Sequence, residues 1–491
     1  MNRILSSIAV VCALAGAGLL AVPGAHAQSG NVSACNRLEV WVEDSLRAAA
    51  YLNQFDLLYL GEKWNVSARL EMDEEKWWDP ERETKIARRY AEYHDGIFGV
   101  RAGTYYASFG RGLVLRAMED TDVRVDRDID GIYGAVGWKK LRGQALFGRP
   151  RSDRSSNRTN TLAGADAEVE ALPGLFLGGA YLRQDARNNA TDEDLEKLGQ
   201  PALEECAAGR VNWVHGLLEV YLEGARRMPR AADDPRGGWT WTSAKDGHAW
   251  YGSVTAGVPG YSVFLEGKDY LRYDVDYATP PPANTAGQPL NGAIDERGGA
   301  VALTASPRDD LTIEAAGSYA EGRDEPGQRS DALGSIRKDW WGQGALKLGG
   351  EWIKEEELGS HVLREHAGPM VDVSYYLTEQ TSVSLHGTFF SWTNRFRGTE
   401  SQDYTEISTD FTISLGSSRT ATLSFIKATE EVAEFAGDDE WTNVQFTWGF
   451  GHNHDLKIKI GQERGGIVCS SGICIYESPF TGVRMEFTSR L

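Results

Sequence analysis

From Trp64 the chain alternates strictly: Trp64, Val66, Ala68, Leu70 and Met72 take every second place, with Asn65, Ser67, Arg69 and Glu71 between them. The same rhythm returns at Phe411, Ile413 and Leu415, at Val444, Phe446, Trp448 and Phe450, and at Leu456, Ile458 and Ile460. Successive side chains of a strand point to opposite faces, so each segment carries one apolar face and one wet face. No long amphipathic helical pattern interrupts the series. Connections alternate as well. Short turns fall at 172–174, 258–260, 306–310, 417–418 and 451–455. Long polar stretches lie between them, at 108–130, 150–162, 185–208, 228–246, 273–297, 322–338, 393–403 and 428–439. This pattern predicts an all-β fold, a transmembrane antiparallel β-barrel with short periplasmic turns and long extracellular loops. Segments of ~10 residues give about 22 strands, in a range of roughly 20 to 24.

In such a barrel the apolar face meets lipid and the other face lines the lumen. The expected lumen-lining residues are Arg69, Glu71, Arg101, Glu219, Glu223, Glu266, Lys268, Glu314, His386, Asp410, Lys457, Lys459, Arg484 and Glu486. Trp64, Trp138, Tyr261, Trp392 and Trp441, near strand ends, are expected in the interfacial aromatic girdles. A soluble sandwich or propeller array would alternate too, but no blade repeat and no break between domains is present. The chain ends inside a strand, with Val483, Met485, Phe487, Ser489 and Leu491 on one face. That ending resembles the terminal signal by which barrel-assembly machinery selects its clients.

Composition fits an envelope protein. Among 491 residues, 41% are hydrophobic, and no stretch beyond the N-terminal leader reaches the ~20 apolar residues of a spanning helix. The net charge of −20 supplies no basic face for a nucleic acid. Residues 1–27 read as a secretory signal peptide: Arg3, an apolar core from Ile8 to Leu20, and the small-x-small site Ala25-His26-Ala27. Residues 28–491 then form the barrel in the bacterial outer membrane, in contact with its lipid. Cys12 leaves with the leader. In an oxidising compartment Cys469 and Cys474 are expected to close a small loop, and Cys35 with Cys206 is the remaining disulfide pairing.

The run Gly103 to Arg116, followed by Glu119-Asp120, Asp126 and Asp130-Gly131, resembles the signature of an uncharacterised exported family, a domain of unknown function whose members look like outer-membrane β-barrels. The closing run from Cys469 to Leu491 is similar to that family's ending, with two close cysteines, Pro479-Phe480, Gly482, Glu486, Thr488 and Arg490. Met118, Ile475 and Leu491 depart from its pattern. The resemblance implies a barrel and brings no activity with it.

The richest local chemistry lies in 108–130, which is too long for a rim turn and mixes Leu113, Val114 and Leu115 with charges. A segment of this kind folds into the lumen or over the outer rim. Folded inward, Arg111, Arg116, Glu119 and Asp120 would form a constriction. Asp126, Asp128 and Asp130, ahead of Gly131, match the opening of a calcium loop and are a candidate metal set for Ca2+. Gly137 stands where the bidentate Glu of an EF-hand belongs, and four interleaved arginines offer the competing reading of a salt-bridged segment. His452, His454 and Asp455 form a second metal candidate on a short turn. No other cofactor is implied, and the usual hydrolase, zinc and phosphate-loop motifs are absent. The function expected is a pore or transporter. The alternatives are a plugged barrel serving as scaffold or surface-binding module for an envelope protein partner, and a barrel-embedded hydrolase.

Overall fold

The computed structural model describes residues 30–491 apart from 44–48, 75–82, 152–159, 186–202, 231–245, 286, 291–293, 325–326, 341, 358–361, 396–399, 433–437 and 471–472. The signal peptide expected over residues 1–27 lies outside the described residues. Twenty-four strands form one antiparallel sheet, each paired with its neighbours in chain order. The sheet closes because the last strand, Phe480–Arg490, pairs on one side with His454–Glu463 and on the other with the first strand, Gly30–Glu43. Closure leaves no wall strand with an unpaired edge, which is the condition for strands to exist in hydrocarbon.

The side-chain alternation is inside out relative to a soluble protein. Along Leu218–Arg230, Leu222 is 56% exposed while its neighbour Glu223 is 1% exposed. Phe147, Ile132, Trp250, Leu348 and Phe389 are likewise exposed large apolar side chains, whereas Glu71, Asp166, Lys268 and Glu296 are buried. A continuous apolar outer face of this extent needs a nonaqueous solvent, so the barrel belongs in the outer membrane. Trp64, Trp138 and Tyr261 stand exposed at strand ends, as girdle residues do. Trp441 and Trp392 do not. Trp441 is buried in a cluster with Tyr404, Ala428 and Val432, and Trp392 packs against that cluster, stacked on Tyr404.

The count of 24 is slightly above the 22 expected from the sequence. Part of the difference is the strand Gly327–Asp339, in the stretch 322–338 read as a loop. Its outward face carries Gln328, Ser330, Ala332 and Gly334 before reaching Ile336, so its apolar signal is weak. The cysteines also differ from expectation. Cys35 and Cys206 are free thiols, on strands that are not neighbours. Cys469 and Cys474 face each other by register across the hairpin Gly466–Ser470 and Ile473–Glu477, and their side chains lie outside the described residues.

Candidate functional site

Between the strands Phe98–Tyr105 and Ile129–Trp138 the chain leaves the wall and folds against its inward face. Ala107–Phe109 pairs with Leu115–Ala117, and Glu119–Asp120 pairs with Val125–Asp126, so the excursion is a pair of miniature hairpins. Gly110 turns the first one at φ 55°, a left-handed conformation in which a Cβ would collide with the Glu223 carboxylate. Phe109, Leu113, Val114 and Leu115 are fully buried, packed with wall residues such as Leu146, Leu162, Leu182 and Tyr221. Those wall residues are an apolar patch on an otherwise polar inner face. The placement accounts for an apolar triplet inside a charged loop: it is the core of an inward segment.

Ion pairs fix its edges. Arg69 donates to Asp56 at 2.8 Å and to Glu119 at 2.5 Å, and Arg88 bonds the other Glu119 oxygen. Burial alone would raise the Glu119 carboxyl, but Arg69 and Arg88 outweigh it and hold the group below its ordinary value. Arg88 also donates to the Tyr106 hydroxyl at 2.8 Å, and that hydroxyl donates to Asp126 at 2.8 Å. Burial, reinforced by Asp126, pushes the Tyr106 phenol well above its ordinary value, so it stays a donor at any physiological pH. Glu223 accepts from the Arg111 amide at 2.9 Å and from the Tyr221 hydroxyl at 2.6 Å.

A second inward segment, within 272–295 and apart from 286 and 291–293, departs from the expectation of a long extracellular loop over 273–297, whose ends are polar. Tyr273, Val275, Tyr277, Ala278 and Ala283 are buried in the same core as the first segment. The two are joined through backbone: Arg116 donates its amide to the Tyr277 carbonyl at 2.7 Å, and Thr279 to the Gly112 carbonyl at 3.0 Å. The Tyr273 hydroxyl donates to the Leu113 carbonyl at 2.8 Å and lies 3.0 Å from the Cys206 sulfur. Lys268 and Glu296 form an ion pair at 2.6 Å with no side-chain exposure, and Lys268 also reaches the Pro282 carbonyl. Glu296 takes the Leu290 amide at 2.8 Å. The signal available in sequence was aromatic density, since Tyr270, Tyr273 and Tyr277 beside three consecutive prolines are unusual in a solvated loop.

The residues expected at the lumen separate into two groups. Arg69, Glu223 and Lys268 contact the inward segments, as above, and Glu71 accepts from Gln54 at 2.9 Å. Glu266 takes the Tyr251 hydroxyl at 2.8 Å, and Arg101 pairs with Glu92 at 2.6 Å. Away from the segments, Glu314 holds Lys347 at 3.1 Å and His386 lies 2.5 Å from Asp372. Asp410 faces His386 by register. Lys459 pairs with Glu463, which also takes Arg484 at 2.8 Å, while Lys457 faces Glu486 across the sheet and Glu219 faces Thr255. Among the constriction candidates, Arg111 lies at the first turn and Arg116 and Glu119 are held as described. Asp120 accepts the Asp122 amide at 3.1 Å, closing a local turn.

The calcium reading is corrected. Asp126 and Asp128 converge on a guanidinium and not on an ion, and Asp130, on the wall strand that begins at Ile129, is taken by a second arginine. Arg151 takes Asp126 at 3.3 Å and Asp128 at 2.7 Å, and Arg89 takes Asp130 at 3.2 Å. His454 stacks against Phe450 and Phe487, and Asp455 is bonded to Arg490, so that trio does not converge on an ion either. Among the described residues no group of three or more His, Cys, Asp or Glu is placed to hold a metal ion.

Beneath the Gly110-Arg111 turn, toward the short-turn rim, a cavity of about 710 Å³ opens on the inner face. Small residues make it: Gly99, Ala135 and Gly137 form its floor. Tyr133 and Tyr221 supply ring faces, and Arg142, Asp166, Glu168 and Arg210 supply charge.

A family model described as a family of unknown function (DUF6029) matches residues 35–288, which include the first inward segment and most of the second. No curated protein matches. Among solved structures, the usher PapC in a P pilus tip assembly intermediate from E. coli is similar over 96% of this chain and 62% of its own, at 11% identity and a TM-score of 0.57. The P pilus usher (PapC) translocation pore covers 94% of this chain and 99% of its own, at 11% identity and a TM-score of 0.48. The siderophore receptor PirA from Pseudomonas aeruginosa covers 94% and 80%, at 10% identity and a TM-score of 0.44. At these identities the likeness is one of fold.

Proposed function

The chain belongs to the family of unknown function DUF6029, and since that family brings no activity with it, we propose from the geometry that this barrel is an outer-membrane pore or transporter whose lumen is narrowed by the segments 106–128 and 272–295. One observation carries the reading. The joined apolar core of the two segments draws only on residues 105–283, and their polar contacts extend to Trp41 on one side and to Arg329 and Asp331 on the other, stopping short of the strands from Gly344 to Glu463 among the described residues. The opposite sector, from Gly344–Glu357 round to His454–Glu463, presents ion-paired polar side chains such as Lys347–Glu314 and Lys459–Glu463. A 24-stranded wall has room for both a filled and a water-lined sector.

Reconstitution into planar bilayers tests this. The account expects discrete conductance steps, enlarged when 107–127 is replaced by a short glycine linker. A membrane that stays silent with both proteins would overturn it. Full burial of Phe109 and Leu113–Leu115 favours a second reading, a fixed plug on a scaffold barrel. Silence combined with a stably co-purifying envelope protein is the outcome that reading expects.

A further inference from the structure

The cavity under the Gly110-Arg111 turn has the features of a built site, and its charges are unequally committed. Its two carboxylates are taken: Arg210 bonds Asp166 through both terminal nitrogens and Glu168 through Nε at 3.2 Å. Nearby Glu223 is engaged by Tyr221 and the Arg111 amide, and Glu266 by Tyr251. The guanidiniums of Arg111 and Arg142 are not. Both are exposed, both line the cavity, and among the described residues neither has a carboxylate partner. Arg111 lies over the Tyr221 ring, 4.8 Å from its centroid, which orients its fork without using its hydrogen bonds. Three guanidiniums and two carboxylates line the cavity itself, with Glu223 and Glu266 close to Arg111, in a chain whose overall charge is −20.

From this juxtaposition we propose that the cavity binds a small organic anion, a carboxylate carried on a flat apolar body. The carboxylate is taken by Arg111 and Arg142, and the body lies against the Tyr133 ring over the Gly99-Ala135-Gly137 floor. A planar guanidinium matches a carboxylate by two parallel hydrogen bonds, which a point charge does not. The volume is within the ~300–1,000 Å³ typical of small-molecule sites. The floor needs its small residues: a Cβ on Gly137 would project into open space, the space the body would occupy. All the lining residues fall within 35–288, the stretch that the family match covers. The proposal names a solute class for the pore reading and rests on it only for transport, since binding is read separately.

The test is calorimetric titration of the full-length barrel in detergent with benzoate, benzylamine and inorganic phosphate, alongside bilayer conductance of the same preparation. The expected result is that benzoate binds, benzylamine does not, and phosphate binds at least tenfold more weakly than benzoate. Arg111→Gln with Arg142→Gln lowers benzoate affinity at least tenfold, while Arg419→Gln, outside the cavity, leaves it unchanged. Both substitutions are at exposed side chains, and heat modifiability on a gel verifies that the barrel is intact. The proposal is overturned if benzoate does not bind, if benzylamine binds as well, if phosphate binds as tightly as benzoate, or if the double variant binds like the parent. Absence of conductance with benzoate binding intact removes the pore reading and leaves the site standing.

Discussion

Glu119 shows how single residues hold the inward segment. Removing one partner of a buried ion pair costs about 3–5 kcal/mol, and the residual solvent contact of Arg88 and Glu119 trims that toward ~2 kcal/mol. Glu119→Gln is therefore expected to raise protease cleavage and hydrogen exchange within 106–128 without unfolding the wall. The pH dependence has a definite sign. Because the folded carboxyl lies below its ordinary value of about 4.3, its stabilisation is complete above that value and is lost as pH falls through the lower, folded one. The opening equilibrium of the segment, taken from exchange after correction for the intrinsic amide rate, should stay flat from neutral pH down to ~5 and rise below ~4, whereas Glu119→Gln should lose that step. Gly110→Ala adds a Cβ toward Glu223 at a positive φ and is expected to cost roughly 1–3 kcal/mol of docking, read the same way. At this scale the sequence was only partly informative. Period two alone places Arg69 and Glu223 on the inner face. The spacing of Asp126, Asp128 and Asp130 suggests a shared ion, because spacing does not reveal that the distant Arg151 and Arg89 take them. Facing residues of antiparallel strands have Cα atoms ~4.5–5.5 Å apart, within disulfide reach. Thiol titration of the denatured, unreduced, leader-free chain is therefore expected to find two free thiols, Cys35 and Cys206, with Cys469 and Cys474 bridged. Four free thiols would contradict this.

At the scale of elements, the two inward segments depend on each other. They pack into one core, and their shared backbone bonds run from Arg116 to Tyr277 and from Thr279 to Gly112. Replacing 274–288 with a short linker should therefore expose Leu113–Leu115 and abolish exchange protection of the Arg116 amide, although the first segment is untouched. Persistence of that protection would show that the first segment docks by itself. Most wall strands were legible because lipid imposes a sharper alternation than a half-wet soluble sheet does. Two elements were not. Gly327–Asp339 carries too few apolar side chains outward to register, and it becomes a strand because its neighbours' open edges demand pairing. The segment 272–295 is polar at its ends, and its tyrosines take meaning only from a partner distant in sequence, Leu113. Local pattern contains no information about that partner.

For the whole molecule, the controlling fact is the inverted polarity of a closed wall. The first described strand starts and the last strand ends near the short-turn rim, with Cys35 facing Arg490 in register, as expected when short turns face the periplasm. The filled sector and the polar sector then share one ring, and the site legible in part from sequence lies within the filled one, beneath Arg111. The most direct measurement is spin-label accessibility at single cysteines placed from Val220 to Ala225. Oxygen, which concentrates in lipid, should relax labels at 220, 222 and 224, while labels at 221, 223 and 225 stay inaccessible to both oxygen and a polar nickel chelate. Chelate accessibility peaking at 220, 222 and 224 would put water where hydrocarbon is required and contradict the account.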